Sequence, residues 1–516
     1  MQRESGRRLD SSRRRVVLGR LLVTLVVCSL AVFQGGCANP SSTAKTTKPS
    51  AGVVLRIACP GEAAAAVARR YGQDWATESG AEIKIVRYDP DALLPAELEG
   101  DIWIVSPARM PHFAAAGKLL EVPDRYTSPS SPYGWEGLLR DYRNKLLVWD
   151  QKVFALPLLG DSSLCFYRAD LLADSANQSE FKTKFGRQLE PPETWEDFAA
   201  VAEFFHNRKR PGIDRQCPSL PSLWSSDEEL DREFFAIAAP LARRARKEND
   251  PKHTESSELF SFHYDLESGA IRIDSAGFVD ALVMLNRLQR WRSPGTAAQP
   301  PAKFLDGEAV LCLAGPSWIA RFQQSARLRG KFSFRNLPGT HATFDYSTGK
   351  AEQVNGGNDV PYLGVGGAVG IVPVTCATPE AAFDLLAFMS DARTSSDVVI
   401  EPAWGGGVYR REHLDSRVGW HAFGLDPTQT GHLLDCIRHD AVHSQISNPV
   451  FRLRIPDEQK HQKILLEEIR ASLLRGKGPR EALGDTARLW KEIDARLDPK
   501  TRRTNYRLSV GLTRND

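Results

Sequence analysis

Two short segments of the chain, 58–62 and 106–109, combine polar side chains with turn residues in a way that could bind a polar ligand. Ser106 can donate and accept hydrogen bonds, Arg109 carries several N–H donors, and the Glu62 carboxylate carries two acceptor oxygens. Each segment follows a run of β-type residues, so we expect each to lie at the end of a strand. The alternative roles are structural: a surface salt bridge for Arg109, and a favourable first-turn acid of a helix for Glu62.

The sequence carries none of the compact motifs that mark common catalytic sites. GxSxG, HExxH, a P-loop and a GxGxxG that opens a helix after a strand are all absent. His439 and His443 are four residues apart, but no glutamate stands between them as a zinc protease requires. The six cysteines that follow Cys37 are widely spaced without CxxC, and sequence alone cannot pair them. We predict no enzyme, metal or cofactor, although the paired carboxylates of a glycosidase would leave no motif.

The first 37 residues have the pattern of an export signal followed by a lipidation site. Residues 1–36 combine an arginine-rich start with the 13-residue apolar run Leu21–Phe33, which is shorter than the ~20 residues that span a bilayer. Gly35 and Gly36 then precede Cys37, as in a lipoprotein signal. The alternative is an ordinary signal peptide with an incidental cysteine, and the export route, Sec or Tat, stays open. Residues 37–52 are polar and predict a flexible tether.

The remaining chain is nearly neutral. Residues 1–36 hold seven arginines and two acidic residues, so 60 basic and 62 acidic side chains remain after them. This balance gives no reason to expect nucleic acid as a partner. A chain of this length also exceeds what one hydrophobic core usually serves, so we expect two lobes.

Strands and helices alternate at the start of this body. Val53–Ala58 and Ile83–Tyr88 predict strands, and Glu62–Trp75 predicts a helix between them. Asp101–Val105 predicts a third strand, and Met110–Leu119 the helix after it. Such alternation predicts a mostly parallel sheet covered by helices, whose ligands bind beyond the carboxyl ends of the strands. The segments that carry Glu62, Ser106 and Arg109 belong to that edge.

The sequence also suggests the structure of four later segments. We interpret 206–265 as an elaborated surface region with a helix over Glu228–Ala245, and Thr340–Asp359 as a polar loop. Pro379–Ser390 predicts a helix with Thr378 as its N-cap. Residues 501–516 are assigned to a C-terminal tail.

Five blocks of sequence, in order, resemble the family 1 extracellular solute-binding proteins of the maltodextrin-binding type, the receptors of ABC importers. The blocks are Asp101–Leu120, Val153–Leu172 together with Pro191–Phe198, Phe304–Trp318, Gly366–Ser390 and Leu474–Ile493. The resemblance implies an α/β, two-lobed periplasmic-binding-protein fold (type II) with mixed sheets flanked by helices. The lobes would be 53–157 with 364–415 and 158–362 with 416–500. Gly160, Gly364, Gly366 and Gly367 would suit a hinge, and the alternative for Gly366 and Gly367 is close packing of a strand on a helix.

The resemblance also suggests which residues touch the ligand. Trp318 follows Gly315-Pro316, where sugar-binding relatives place an aromatic ring that stacks on a pyranose. Asp161 stands where relatives carry an acidic hinge residue. Trp404 precedes Gly405-Gly406-Gly407, where the family has a loop that approaches the cleft, and Trp224 stands near the place of second-lobe aromatic residues in relatives. The structural alternatives are a buried helix-start tryptophan for Trp318 and a turn residue for Asp161.

The charged residues bear on the charge of the ligand, which we predict to be a neutral carbohydrate rather than an acidic sugar or other anion. Asp161 favours a neutral polyhydroxy or cationic ligand, whereas Arg109, Arg452 and Arg454 together would favour an acid. Arg452 and Arg454 alternate in a strand-like run, so we expect them on one face, either in the cleft or in solvent.

The export signal and Cys37 predict a membrane-anchored lipoprotein outside the cytoplasm, in the periplasm or at the cell surface, and with the resemblance we expect a monomeric receptor. It would capture a carbohydrate for ABC transporter permease subunits. The alternatives are a receptor for an acidic or other non-sugar solute, a sensor without a transport partner and, less favoured, a secreted carbohydrate-active enzyme.

Overall fold

A computed structural model describes residues 48–222, 226–245, 256–294, 301–345, 348–402, 407–415, 417–442 and 449–514. Residues 1–36, most of the predicted tether, Cys37, Trp224 and Trp404 lie outside these ranges. Among the described helices, none combines the length and apolar character that crossing a membrane requires. The architecture is α/β.

The strands are β1 (Val54–Pro60), β2 (Glu82–Tyr88), β3 (Ile102–Val105), β4 (Val148–Trp149), β5 (Lys152–Val153), β6 (Ala155–Leu159), β7 (Leu164–Tyr167), β8 (Arg208–Arg210), β9 (Ile213–Cys217), β10 (Leu311–Ala314), β11 (Ser333–Arg335), β12 (Thr340–Phe344), β13 (Ala351–Asn358) and β14 (Ala368–Ile371). The helices are α1 (Gly61–Ser79), α2 (Met110–Ala115), α3 (Asp124–Thr127), α4 (Ala169–Ala173), α5 (Ser175–Phe185), α6 (Trp195–Phe205), α7 (Asp227–Ala242), α8 (Ser256–Phe260), α9 (Ala276–Gln289), α10 (Pro301–Leu305), α11 (Trp318–Gln324), α12 (Pro379–Ser390), α13 (Ala392–Val399), α14 (Glu412–Asp415), α15 (Arg417–Trp420), α16 (Pro427–Val442), α17 (Glu458–Arg475), α18 (Pro479–Asp494) and α19 (Pro499–Ser509). A π-helical turn spans Tyr142–Leu146.

The main sheet has five strands in the order β2-β1-β3-β14-β6. β1 pairs in parallel with β2 and β3, whereas β14 runs antiparallel to both β3 and β6. The carboxyl ends of β1, β2, β3 and β6 therefore meet the amino end of β14 at one edge. The buried face of α1 includes Ala64, Ala68, Tyr71 and Trp75, which belong to the core around this sheet. The predicted strands and the helix between them are confirmed to within a few residues.

A second sheet is antiparallel, with the order β10-β7-β11. Phe166 on its central strand is fully buried, and its ring lies 5.1 Å from that of Phe322 and 5.9 Å from that of Phe334. Such aromatic pairs add to the stabilisation that burial alone provides.

Two hydrophobic clusters form the core. One surrounds the main sheet and extends to Phe166 and to Leu433 of α16. The other is built largely by α6, α7, α9, α17 and α18, with Trp195, Phe234 and Trp490 among its buried side chains. Because α16 packs in the first cluster, these clusters do not follow the predicted lobe boundary at residue 416. The lobe boundaries stay a prediction.

The chain crosses from the main sheet to the second sheet between β6 and β7, and it approaches other backbone there very closely. A Cβ atom placed on Gly160 would come within 2.3 Å of the Gly407 carbonyl carbon. Gly367, at φ +89°, would bring a Cβ within 2.0 Å of the Leu159 carbonyl oxygen. Glycine is required at both positions because no side chain fits.

One expectation about local structure is confirmed: Thr378 is the N-cap of α12 and Pro379 is its first residue, although the Thr378 side chain forms no capping hydrogen bond. Three other expectations were wrong. Thr340–Asp359 is largely the β12–β13 hairpin rather than a loop. The predicted tail contains most of α19, in which Tyr506 and Leu508 are buried. The run that carries Arg452 and Arg454 is not a strand. In each case long-range packing decided a conformation that the local pattern left open.

Candidate functional site

A cavity of about 280 Å³ lies at the edge where β1, β2, β3 and β6 end and β14 begins. We call it the strand-end cavity. The lining side chains that can form hydrogen bonds are Tyr88, Asp91, Ser106, Arg109, Asp161, Glu228, Arg232 and Arg452. Ser106, Arg109 and Asp161, which the sequence predicted to contact a ligand, thus line the same cavity. This edge is where α/β sheets commonly bind ligands.

Asp161 and Arg232 of α7 form a bidentate ion pair in this cavity. Arg232 Nη1 donates to Asp161 Oδ1 at 2.6 Å, and Nη2 donates to Oδ2 at 3.2 Å. The backbone N–H of Val365 also donates to Oδ2, at 3.0 Å. Burial raises the pKa of the Asp161 carboxyl, while the adjacent guanidinium acts in the opposite direction. The pair joins the β6–β7 crossing to a helix of the second hydrophobic cluster.

Two further interactions orient Arg232. Its Nη1 donates to Ser163 Oγ at 3.1 Å, and its Nη2 donates to Glu228 at 2.9 Å, one helical turn away. The nearby carboxylates of Asp161 and Glu228 raise the pKa of Arg232 against the effect of burial. Arg232 is thereby held as a charged, fixed donor group at the border of the cavity.

Gly364 leaves room for this pair. It adopts φ +56°, and a Cβ atom there would lie 2.5 Å from Asp161 Oδ2 and 2.6 Å from Arg232 Nη1. Any side chain at this position would displace the ion pair between Asp161 and Arg232, so the site requires glycine here.

Ser106 and Arg109 lie in the turn after β3. Arg109 is 8% exposed, and its guanidinium donates to the Pro90 carbonyl. Burial lowers the pKa of Arg109. Ser106 Oγ is buried and has no hydrogen-bond partner within the described chain. A buried hydroxyl without a partner costs free energy, which a ligand hydroxyl in the cavity would recover.

Arg452 and Arg454 are both buried, so the solvent-exposed alternative for them was wrong. Arg452 lines the strand-end cavity and forms a buried ion pair with Glu458. Arg454 instead donates to the carbonyls of Pro107, Leu146 and Ser509 at 3.2, 3.3 and 3.0 Å. Only Arg452 of the two borders the strand-end cavity.

Trp318 borders a second cavity, of about 150 Å³, which we call the Trp318 cavity. Arg232 lines both cavities, so they adjoin at this residue. The half-buried Trp318 ring stacks near Phe322 at 5.8 Å between centroids, and the Arg321 guanidinium lies 4.6 Å from its centroid. The buried Glu233–Arg292 ion pair also lines this cavity.

Glu62 does not line either cavity, although its neighbours Pro60 and Ala63 line the strand-end cavity. Its exposed carboxylate accepts from Arg87 at 2.8 Å and from Arg69 at 3.4 Å. It stands in the first turn of α1, as the structural alternative expected. Trp224 and Trp404 fall outside the described residues, so their predicted contacts stay predictions.

Sequence reasoning missed Arg232 and Glu228. Both lie in the segment interpreted as an elaborated surface region. The available signal was the spacing of Glu228 and Arg232, which are four residues apart and so share one face of a helix. Nothing local indicated that this face meets Asp161, 71 residues earlier in the chain. The described residues contain no group of three or more His, Cys, Asp or Glu side chains that could hold a metal.

Comparisons with known proteins bear on the family and the fold of this chain. The family model of bacterial extracellular solute-binding proteins matches residues 76–400, more than half of the chain. No curated protein sequence matches significantly.

Several solved structures share the fold. An ABC transporter solute-binding protein of Agrobacterium radiobacter K84, in complex with ribitol, has a TM-score of 0.64 and 15% identity, over 86% of this chain and 100% of that one. Maltose-bound MalE3 of T. maritima has a TM-score of 0.59 and 16% identity, over 86% and 100%. A solute-binding protein of Agrobacterium vitis S4 with bound D-mannitol has a TM-score of 0.57 and 15% identity, over 86% and 98%. The chain has their two-lobed fold, and with the family match this shows that it belongs to the bacterial extracellular solute-binding proteins, the solute receptors of ABC transporters.

Proposed function

We propose that this protein binds a neutral carbohydrate or sugar alcohol in the strand-end cavity and delivers it to the permease subunits of an ABC transporter. The observation that carries the proposal is that Ser106, Arg109 and Asp161 line one cavity together with Arg232 of α7. Structural relatives with bound ribitol, D-mannitol and maltose support the ligand class.

The charges in the cavity support a neutral ligand. Arg232 is paired with Asp161 and Glu228, and Arg452 is paired with Glu458. Paired groups still offer the remaining lone pairs and N–H bonds, which suit vicinal hydroxyl groups. An anionic solute would have to compete with carboxylates that already hold these guanidinium groups.

The two sides of the cavity would move relative to each other when the solute binds. The glycines at the β6–β7 crossing and at 364–367 allow three chain segments to lie against one another, and such positions can absorb backbone changes. Trp318 would contribute a stacking surface from the adjoining cavity.

A second candidate ligand is an acidic sugar. Arg109 forms no ion pair with any carboxylate of the described residues, and it lines the strand-end cavity. A uronic acid could place its carboxylate there. The sensor alternative would use the same binding chemistry with a different partner.

The sequence, rather than the described structure, supports the remaining parts of the proposal. We infer that Cys37 carries a lipid after removal of residues 1–36, and that the monomeric receptor is tethered outside the cytoplasm without catalytic activity of its own. Replacing Cys37 with serine should release the protein from membranes. Unchanged membrane association of that variant would rule out the anchor.

A thermal-shift screen of the mature protein against sugars, sugar alcohols, uronic acids and polyamines tests the function. A solute at ~100 times its dissociation constant should stabilise the protein by roughly 2.7 kcal/mol. Stabilisation by neutral polyhydroxy compounds is expected. If polyamines alone stabilise the protein, the carbohydrate proposal is wrong.

A further inference from the structure

A third cavity differs from the two described above because five of its lining residues are basic. We call it the basic cavity, and its basic residues are Lys145, Arg243, His263, Arg452 and Arg454. Its volume is about 40 Å³. It lies between the π-helical turn, the 449–454 segment and α19, whose Tyr506 and Ser509 also line it.

The basic side chains are deeply buried. Their exposed fractions are 9% for Lys145, 6% for Arg243, 4% for His263, 6% for Arg452 and 2% for Arg454. Burial lowers the pKa of Arg243 to about 10 and that of Arg454 to about 9, so both still carry a proton at neutral pH. Concentrating positive charge on side chains that have so little contact with solvent is unfavourable unless negative charge is close by.

Carboxylates account for part of this charge. Asp141 pairs with Lys145 at 2.6 Å, and Glu458 pairs with Arg452. Arg454 differs, because it donates to three backbone carbonyls and forms no ion pair with a carboxylate in the described ranges. Carbonyl groups solvate a guanidinium but do not neutralise it.

His263 supplies an independent indication of a ligand. Its Nε2 atom is buried and has no hydrogen-bond partner in the described part of the chain. Burial lowers the pKa of His263 to about 3, and Arg243 and Arg452 act in the same direction, so the ring is neutral. In the tautomer protonated at Nε2, this atom becomes a donor for an anion.

We propose that the basic cavity binds a small monatomic anion of the chloride type, held by His263 Nε2–H and the surrounding cationic groups. Roughly 10–15 Å³ is enough for one water molecule, so the cavity admits a chloride-sized ion. A water molecule could satisfy His263, but only an anion also balances the charge of Arg454.

The anion would strengthen the segment that forms the border of the solute site. Residues 449–452 pair with the 361–364 segment, because Val450 N–H donates to the Pro361 carbonyl and Arg452 N–H donates to the Gly364 carbonyl, each at 2.9 Å. Arg452 reaches both the basic cavity and the strand-end cavity. Anion binding would thus fix this segment against α19 whether or not a solute is bound.

Halide-dependent unfolding of the mature protein tests the inference. Melting curves are recorded in sodium chloride, sodium bromide and sodium gluconate at equal ionic strength, since gluconate is too large for the cavity. We expect the melting temperature to rise in chloride and bromide relative to gluconate, by about 2 °C for each tenfold concentration step above the dissociation constant. Equal melting temperatures in all three salts would overturn the inference.

Variants separate this site from general salt effects. Arg454→Met and His263→Phe should abolish the difference between chloride and gluconate. Arg210→Met is the matched control, because Arg210 is equally buried and also donates to backbone carbonyls, including that of Phe205 at 2.7 Å. It should keep the difference. Retention of the full difference in folded Arg454→Met would contradict the site.

A direct measurement does not depend on any variant. Crystals of the wild-type protein grown in bromide should show an anomalous peak within hydrogen-bond distance of His263 Nε2. A water molecule there, without anomalous signal, would overturn the inference even if the variants fail to fold.

Discussion

Asp161 Oδ1 and Oδ2 accept from Arg232 Nη1 and Nη2 at 2.6 and 3.2 Å, which ties the crossing between the sheets to helix α7. The pair stands on the border of the strand-end cavity, with Ser106 and Arg109 on the same sheet edge. The pair joins distant segments of the chain, and in the function we propose its remaining polar atoms bind the ligand.

Asp161→Asn should weaken both folding and solute binding. The variant leaves Arg232 without its bidentate partner, and breaking a buried ion pair from one side costs about 3 kcal/mol. We expect solute affinity to fall at least tenfold, measured by calorimetry. Asp170→Asn is the control, because Asp170 accepts bidentately from Arg168 at 2.7 and 2.6 Å and lines neither solute cavity. It should lose stability but keep affinity; equal affinity losses in the two variants would refute a ligand role for Asp161.

Gly364→Ala should disturb the same ion pair from the backbone side. Its methyl group would lie 2.5 Å from Asp161 Oδ2, and the left-handed conformation costs about 1–2 kcal/mol in addition. Gly186→Ala isolates the conformational cost, because Gly186 has φ +73° and no atom within 4 Å of an added Cβ. Chemical denaturation should show Gly364→Ala as the less stable variant, with weaker solute binding. Identical values for both variants would mean that the pair tolerates the methyl group.

Trp318→Ala should reduce solute affinity by roughly 2 kcal/mol, or about thirtyfold, as truncation of a stacked aromatic anchor commonly does. Trp318→Phe keeps a ring and should lose much less. Calorimetric titration of both variants with the best solute from the screen measures the effect. Binding by Trp318→Ala within threefold of wild type would show that the Trp318 cavity takes no part.

Asp231 should make the free energy of unfolding of the protein depend on pH in the acidic range. Burial raises its pKa to about 6, from about 3.9 in unfolded chains, and Tyr362 O–H donates to it at 2.9 Å. The folded state therefore binds a proton here that the unfolded state releases, so this group's contribution to the free energy of unfolding falls as pH rises from about 4 to about 6. Above that range the contribution is constant.

Asp231→Asn removes this titration. Relative to wild type, the variant should gain up to about 2–3 kcal/mol between pH 4 and pH 6. Urea unfolding at a series of pH values measures the difference. Asp214→Asn, at a fully solvent-accessible site, should follow the wild-type curve. Parallel wild-type and Asp231→Asn curves would mean that Asp231 titrates alike in the folded and unfolded states.

The parts of the site that lie on the sheet edge could be predicted from sequence. The pattern of apolar residues located β1, β2 and β3. Because ligands of such sheets bind beyond the carboxyl ends of the strands, the segments after β1 and β3 were expected at the same edge. The resemblance added Asp161. Glu62 shows the limit of this reasoning, because position at a strand end does not determine which way a side chain points.

The partners across the cavity could not be predicted in the same way. Arg232 meets Asp161 only because α7 packs across the crossing, and Arg452 approaches from the segment before α17. Those contacts depend on tertiary packing between segments far apart in the chain. The same holds for α19, whose sequence is polar overall but whose Tyr506 hydroxyl donates to the Phe260 carbonyl at 2.8 Å.

Calorimetric titration of neutral sugars and sugar alcohols, with matched uronic acids, into the mature protein at low and high salt tests the central claim most directly. We predict that at least one neutral compound binds tightly, with an affinity that salt changes little, because the charges of Arg232 and Arg452 are already paired. Tight, salt-sensitive binding of the uronic acids alone would contradict the account.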